Sequence, residues 1–254
     1  MISIKSKREI DIMREAAGKL RTVLFELKDM VRPGVRALEI DKQAEKLIRA
    51  GGALPAFKGY RGYPATVCIS INEEVVHGIP SGRKVKEGDI VSLDLGLIWK
   101  GFYSDSARTW PAGRVSDTAS KLMDVTRESL YAGVSQMRAG KRVGDISAAV
   151  QRYVESSGFS VVRDFVGHGI GRALHEDPQV PNFGEAGKGH KLEAGMVLAL
   201  EPMVNAGGWE VDVLADKWTV VTRDGKLSAH YEDTIVITEN GPENLTGETD
   251  PNKN

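Results

Sequence analysis

The chain repeats itself once, and this repeat restricts its architecture more than any other feature. Arg32-x-Gly34-x-Arg36-x-x-Glu39-Ile40 returns 106 residues on as Arg138-x-Gly140-x-Arg142-x-x-Asp145-Ile146. Gly88-Asp89-Ile90-Val91 and Gly195-Met196-Val197-Leu198 lie 107 residues apart, and six residues after each glycine comes a carboxylate, Asp94 or Glu201. A unit this long, present only twice, is no solenoid repeat. It predicts one domain, 1–254, of two pseudo-symmetric halves, about 1–112 and 113–254. Such a domain is an α/β sandwich in which helices cover a shared sheet, with a site between the halves.

Local patterns fill in that frame. Ile10, Met13, Ala17, Leu20, Leu24 and Leu27 recur at three- and four-residue steps, which predicts a helix over 7–30 closed by Pro33-Gly34. A second helix carries Leu38, Ile40, Ala44, Leu47 and Ile48 and stops at Gly51-Gly52. Residues 67–71 read as a strand, and 90–97 with 102–110 as a hairpin around Lys100-Gly101. In the second half the patterns predict helices over 117–138 and 143–157. Strands are predicted near 160–166, 196–201, 209–214, 217–222 and 229–237, with a turn at Asp224-Gly225 and a frayed polar tail from Gly247.

Composition narrows the setting. Thirty-four Lys and Arg against 35 Asp and Glu leave a net charge of −1, which offers nothing to attract nucleic acid or an anionic membrane. The single cysteine forbids an internal disulfide and any Cys-rich zinc module. No apolar run reaches the roughly 18–20 residues of a membrane span, and the charged start of the chain lacks the apolar core of a secretory signal. A soluble, cytoplasmic protein is expected.

Chemistry concentrates in a few acids and histidines. If Lys100-Gly101 is a two-residue turn, Asp94 faces Ala107, and Asp105 lies two residues along the partner strand on the same face. Such diagonal neighbours have Cα atoms about 7–8 Å apart. Two carboxylates in so apolar a hairpin repel each other and lose hydration, and a divalent cation removes both costs. The repeat places Glu201 as the counterpart of Asp94. Glu232 falls in the terminal hairpin of the second half, the counterpart of the Asp105 strand. Each of these two acids alone is equally compatible with a solvated strand end. Of five histidines, His168 and His175 share the stretch Gly167-His168-Gly169-Ile170-Gly171-Arg172-Ala173-Leu174-His175, which is no phosphate loop because Lys-Ser/Thr does not follow. His77-Gly78-Ile79-Pro80 reads as a loop after a strand. Four acids and a histidine exceed what one ion needs while leaving room for substrate, and they suit two divalent ions about 3.5–4 Å apart.

The order Asp94, Asp105, His168, Glu201, Glu232, with Leu200-Glu201-Pro202, Cys68-Ile69-Ser70-Ile71-Asn72-Glu73 and His77-Gly78-Ile79-Pro80, resembles the type I, bacterial methionine aminopeptidases. The resemblance runs from the first helix to about residue 240. It implies the pseudo-two-fold pita-bread fold and a single catalytic domain. It implies those five residues as ligands of two divalent ions (Co, Mn, Fe or Zn), with Asp105 and Glu232 bridging. By the same resemblance Glu201 is also general base, His175 faces the scissile carbonyl and the oxyanion, and His77 contacts the substrate backbone and the departing amine. A methionine pocket maps to Tyr60, Tyr63, Cys68, Leu174 and Trp218. Leu174 stands where many members have a large aromatic residue, and Phe57 where some have a second cysteine. The implied activity is removal of initiator methionine from nascent chains with a small second residue, by a monomer able to work at the ribosome. Two alternatives differ in class: a related Xaa-Pro aminopeptidase or creatinase-like hydrolase, and a non-catalytic binding protein on the same scaffold.

Overall fold

The computed structural model, which describes residues 2–247, has four helices and fifteen strands among those residues, more strands than the sequence patterns predict. The chain opens with α1 (Lys7–Lys28), α2 (Ala37–Ala50), β1 (Leu54–Pro55), β2 (Val67–Ile71), β3 (Glu74–Val76), β4 (Ile90–Trp99) and β5 (Phe102–Pro111). It continues with α3 (Asp117–Val134), α4 (Val143–Ser156), β6 (Ser160–Val161), β7 (Gly167–Gly169), β8 (Glu176–Val180) and β9 (Val197–Leu200). Then come β10 (Met203–Asn205), β11 (Val211–Val213), β12 (Val220–Thr222), β13 (Ser228–His230), β14 (Asp233–Thr238) and β15 (Gly241–Asn244).

The helices begin where their caps allow. The Ser6 hydroxyl accepts the Glu9 N–H while the Glu9 carboxylate accepts the Ser6 N–H, a reciprocal cap that satisfies two donors at the start of α1. Helix α1 then buries Met13, Ala16, Ala17, Leu20, Val23, Leu24 and Leu27, one face at helical spacing. The repeated motif has a structural meaning. Glu39 caps the Arg36 N–H at 2.9 Å, and Asp145 caps the Arg142 N–H at 2.8 Å. Both motifs open 14-residue helices, α2 and α4. Arg36 bridges Lys84, and Arg142 bridges Lys191 in the same antiparallel sense. Gly34 and Gly140 each hold φ +92°, a left-handed turn that favours glycine.

The hairpin has the expected register: Trp99 pairs with Phe102, Asp94 with Ala107, and Asp105 with Gly96. Strand β4 also pairs with β1 and β2, and a second sheet runs in the order β15-β14-β9-β7-β8. The two sheets meet where Ala107 and Glu232 exchange main-chain hydrogen bonds of 3.3 and 2.9 Å and Thr234 Oγ1 donates to the Asp105 carbonyl at 2.8 Å. One core lies under α1 and α2 and another under α3 and α4. A third, including Met13, Phe102, Ile170, Leu174 and Val236, joins the halves.

Several boundaries differ from the sequence reading. Helix α3 ends at Val134 rather than near 138 because the chain tightens into turns that carry Met137 into the core. The run at 229–237 is two strands, since the chain leaves β10 and crosses to β9 at Tyr231-Glu232. Glu232 therefore sits in the crossing that precedes the terminal hairpin of β14 and β15, not within it. The expected strand at 160–166 keeps only Ser160–Val161. The pair at 209–214 and 217–222 shortens to β11 and β12, which extend a small sheet with β3. The predicted tail beyond Gly247 lies outside the described residues. Among those residues, no helix is long and apolar enough to cross a membrane.

Candidate metal centre

The seam between the two sheets is lined with acid. Asp94 projects from β4 and Asp105 from β5. Glu232 occupies the crossing opposite Ala107, Glu201 follows β9, and His168 lies on β7 beside Ala199. One ligand atom each from Asp105, His168 and Glu232 can be chosen so that all lie within 4.8 Å of one another, and the same holds for Glu201, His230 and Glu232. His168 Nε2 is 3.6 Å from Glu201 Oε1. Asp105 and Glu232 are buried, whereas Asp94 and Glu201 keep a sliver of exposure to the cavity above them.

Gly169 makes the placement of His168 possible. A Cβ there would lie 2.2 Å from the Asp177 carbonyl oxygen, so only glycine lets β7 approach the start of β8 so closely. His168 Nδ1 lies 2.8 Å from the Gly169 carbonyl oxygen, which assigns the proton to Nδ1 and leaves Nε2 with a lone pair toward the acids.

Electrostatics match this crowding. Burial first, and then the charge of Asp105, hold the Asp94 carboxyl well above the ordinary carboxylate range. Burial pushes Asp105 up to about 7. Glu201 and Glu232 are likewise raised, by burial first and then by the neighbouring carboxylates. His77 and His168 fall to about 4 through burial and the charge of His175, so both are neutral at neutral pH. Asp94 Oδ1, Asp105 Oδ1 and Glu232 Oε1 are buried without a hydrogen-bond partner. Orphaned carboxylate oxygens of this kind, converging with an imidazole lone pair, fit divalent cations.

The five line one cavity of about 300 Å³, and the eight other residues singled out by the resemblance line it too: Phe57, Tyr60, Tyr63, Cys68, His77, Leu174, His175 and Trp218. The Tyr63 hydroxyl donates to the Gly78 carbonyl at 2.9 Å, and its ring meets Trp218 edge-on at 5.1 Å. His175 stands at the mouth, its ring 4.3 Å from that of His168, and its Nδ1 is 2.8 Å from the Tyr60 hydroxyl. If that hydroxyl donates, the imidazole proton resides on Nε2. The left-handed backbone at His77 (φ +59°) turns it off the end of β3, and its ring stands edge-on to Phe165 at 5.5 Å.

The family model for metallopeptidase family M24 matches residues 11–239. The chain belongs to metallopeptidase family M24. It is 55% identical over 97% of its length to the methionine aminopeptidase of Clostridium perfringens, 99% of which is covered, and 52% identical to methionine aminopeptidase 1 of Bacillus subtilis with the same coverage. The crystal structure of methionine aminopeptidase from Thermotoga maritima superposes with a TM-score of 0.96 at 48% identity, covering 98% of this chain and all of that one. This M24 chain therefore has the pita-bread fold. It is a metal-dependent hydrolase, and the acids and imidazole at its seam are a cluster able to hold divalent ions.

Three residues at the M24 site have no role in the sequence reading. Arg61 lines the cavity from a single 3-10 turn (Tyr60–Gly62) and Phe165 from a loop, where no periodic pattern marks them. His230 was visible as one of five histidines, and its position two residues before Glu232 was the available signal, because alternate residues of an extended chain share a face.

The raised acids and lowered imidazoles make metal binding pH-linked. A carboxyl whose pKa is higher folded than unfolded stabilises fully below about pH 4 and loses that contribution as pH rises through its folded value. For Asp105 that window ends near 7. A lowered histidine works oppositely: its contribution holds above 6.5 and is lost as pH falls through about 4. Above 6.5 the acids dominate, so the metal-free protein should lose stability from pH 6.5 to 8. The rise in Tm on adding Mn²⁺ should grow over the same interval, with protons released. Thermal unfolding with and without Mn²⁺ at pH 6, 7 and 8 checks this; a metal-induced shift that shrinks with pH contradicts it.

Proposed function

We propose that the protein hydrolyses the N-terminal methionine from peptides and nascent chains, preferring a small second residue. Asp94, Asp105, His168, Glu201 and Glu232 would hold two divalent ions. The observation that carries this reading is the convergence of these five groups on the wall of one cavity. When bound, the ions would supply Lewis acidity and an activated water at neutral pH.

The chain's own residues account for the rest. Glu201, on the cavity wall at the end of β9 and 3.6 Å from His168 Nε2, would take a proton from the attacking water. His175, with Nδ1 engaged by Tyr60, would offer Nε2–H to the oxygen that gains charge. His77, neutral and packed on Phe165, would contact the substrate backbone and the departing amine. Tyr60, Tyr63, Cys68, Leu174 and Trp218 would enclose the methionine side chain, and apolar walls with a thiol and aromatic edges suit a thioether. Burial raises the pKa of the Cys68 thiol, so it would serve as wall and not nucleophile. We read the chain as one catalytic domain of two related halves, working as a cytoplasmic monomer on emerging chains at the ribosome.

The test is hydrolysis of Met-Ala-Ser in Mn²⁺, Co²⁺, Fe²⁺ and Zn²⁺ beside a set of Xaa-Pro peptides. Release of methionine with little Xaa-Pro cleavage is expected. Cleavage of Xaa-Pro peptides alone would move the chain to the related hydrolases, and no turnover with any metal would leave a binding protein. His175→Ala should lower kcat about 10²–10³-fold, the scale of losing one oxyanion donor. An unchanged kcat removes His175 from that role.

A further inference from the structure

His230 is a histidine at this centre to which the function above gives no work. It ends β13 and is 1% exposed. Its main chain is fixed at the seam: the N–H donates to Thr109 Oγ1 and the carbonyl accepts from the same hydroxyl, both at 2.9 Å. Its ring is different, since among the described residues neither Nδ1 nor Nε2 has a hydrogen-bond partner. Nε2 lies 3.8 Å from Glu201 Oε2, too long for a hydrogen bond. One ligand atom each from His230, Glu201 and Glu232 lie within 4.8 Å of one another. Ligand atoms about 2.1 Å from a common ion stand roughly 3–4 Å apart, a range that contains the 3.8 Å between His230 Nε2 and Glu201 Oε2 and that small side-chain rotations would give the three atoms together. The buried Arg108 donates to Ser106 Oγ, to main-chain oxygens and to Asp233.

We propose that His230 is a sixth protein ligand of the metal centre, adding an imidazole beside Glu201 and Glu232. The inference rests on the two-ion reading above. With His168 it makes the centre richer in nitrogen than the five expected ligands would. Imidazole suits Co, Zn and Fe, whereas Mn favours oxygen, so His230 biases the centre away from Mn²⁺.

The experiment uses the full chain stripped of metal and reloaded with Co²⁺. Proton NMR of the Co²⁺-loaded protein should contain a strongly shifted, solvent-exchangeable imidazole N–H signal that His230→Gln abolishes, in addition to one that His168→Gln abolishes. Equilibrium dialysis should find that His230→Gln weakens one of the two Co²⁺ ions about 10–100-fold and Mn²⁺ by less. If His230→Gln does not fold, selective ¹⁵N labelling of histidine in the unaltered Co²⁺ protein gives the same answer, with a second paramagnetically shifted ring expected. One shifted ring only, or unchanged Co²⁺ affinity and spectrum in His230→Gln, overturns the proposal. Asp105→Ala separates the two readings: two-ion binding that survives it defeats the five-ligand centre itself, whatever His230 does.

Discussion

Glu201→Ala is expected to lower kcat/KM on Met-Ala-Ser by at least about 10⁴-fold, roughly 5–6 kcal/mol of transition-state stabilisation. The size follows from two losses at once. Glu201 faces His168 Nε2 at 3.6 Å, so its removal takes one anionic ligand from the cluster. It also removes the carboxylate placed to accept a proton from water. Metal content should fall with activity when the variant is reconstituted with Co²⁺ or Mn²⁺ and dialysed. More than about 1% residual activity in the reloaded variant would sink the assignment of Glu201 as base. Stability should respond in the opposite direction. Burial and the charges of Asp94 and Asp105 penalise the ionised Glu201 carboxyl, so metal-free Glu201→Gln should unfold at a temperature no lower than the metal-free parent. A clearly lower Tm would mean that the carboxylate serves the fold rather than the ions.

Arg108→Ala should cost about 3–5 kcal/mol of stability, the usual penalty for breaking a buried ion pair from one side. The Arg108 guanidinium is buried and donates to Asp233 Oδ1 at 2.6 Å, to the Glu232 carbonyl at 2.6 Å and to the Thr246 carbonyl at 3.2 Å. Asp233, with no exposure, would keep the side chains of Thr246 and Asn244 as partners among the described residues. Since Arg108 grips the main chain of Glu232, affinity for at least one ion should fall as well. Urea unfolding of Arg108→Ala, Asp233→Asn and the double variant measures the coupling: the double should lose less than the two singles together. Strict additivity, or a loss under about 1 kcal/mol, would show that the seam does not depend on this pair.

The Glu201 and Arg108 predictions mark the boundary between what can be read from order along the chain and what cannot. The repeated Arg-x-Gly-x-Arg motif already announced two matched helices, because capping by Glu39 and Asp145 depends on neighbours three residues away. The Lys100-Gly101 turn set the register of β4 and β5, so a common face for Asp94 and Asp105 was accessible from spacing alone. His230 and Arg108 were not accessible in this way. The ring of His230 acquires meaning from Glu201, on another strand end, and the guanidinium of Arg108 from Asp233, 125 positions on.

Residue order thus settled the helices, the hairpin register, the duplicated layout and the types of group fit to hold cations, since each depends on local hydrogen bonding, periodicity or side-chain chemistry. Folding alone settled the crossing at Tyr231-Glu232, the short approach of β7 to β8 at Gly169, and the sealing of acids into one cavity with aromatic walls. The crossing and the enclosed acids come from contacts between the two sheets, and the approach at Gly169 from two neighbouring strands of one sheet. Burial is a property of the packed whole, and it is burial that turns ordinary Asp and Glu residues into a site whose charge calls for metal.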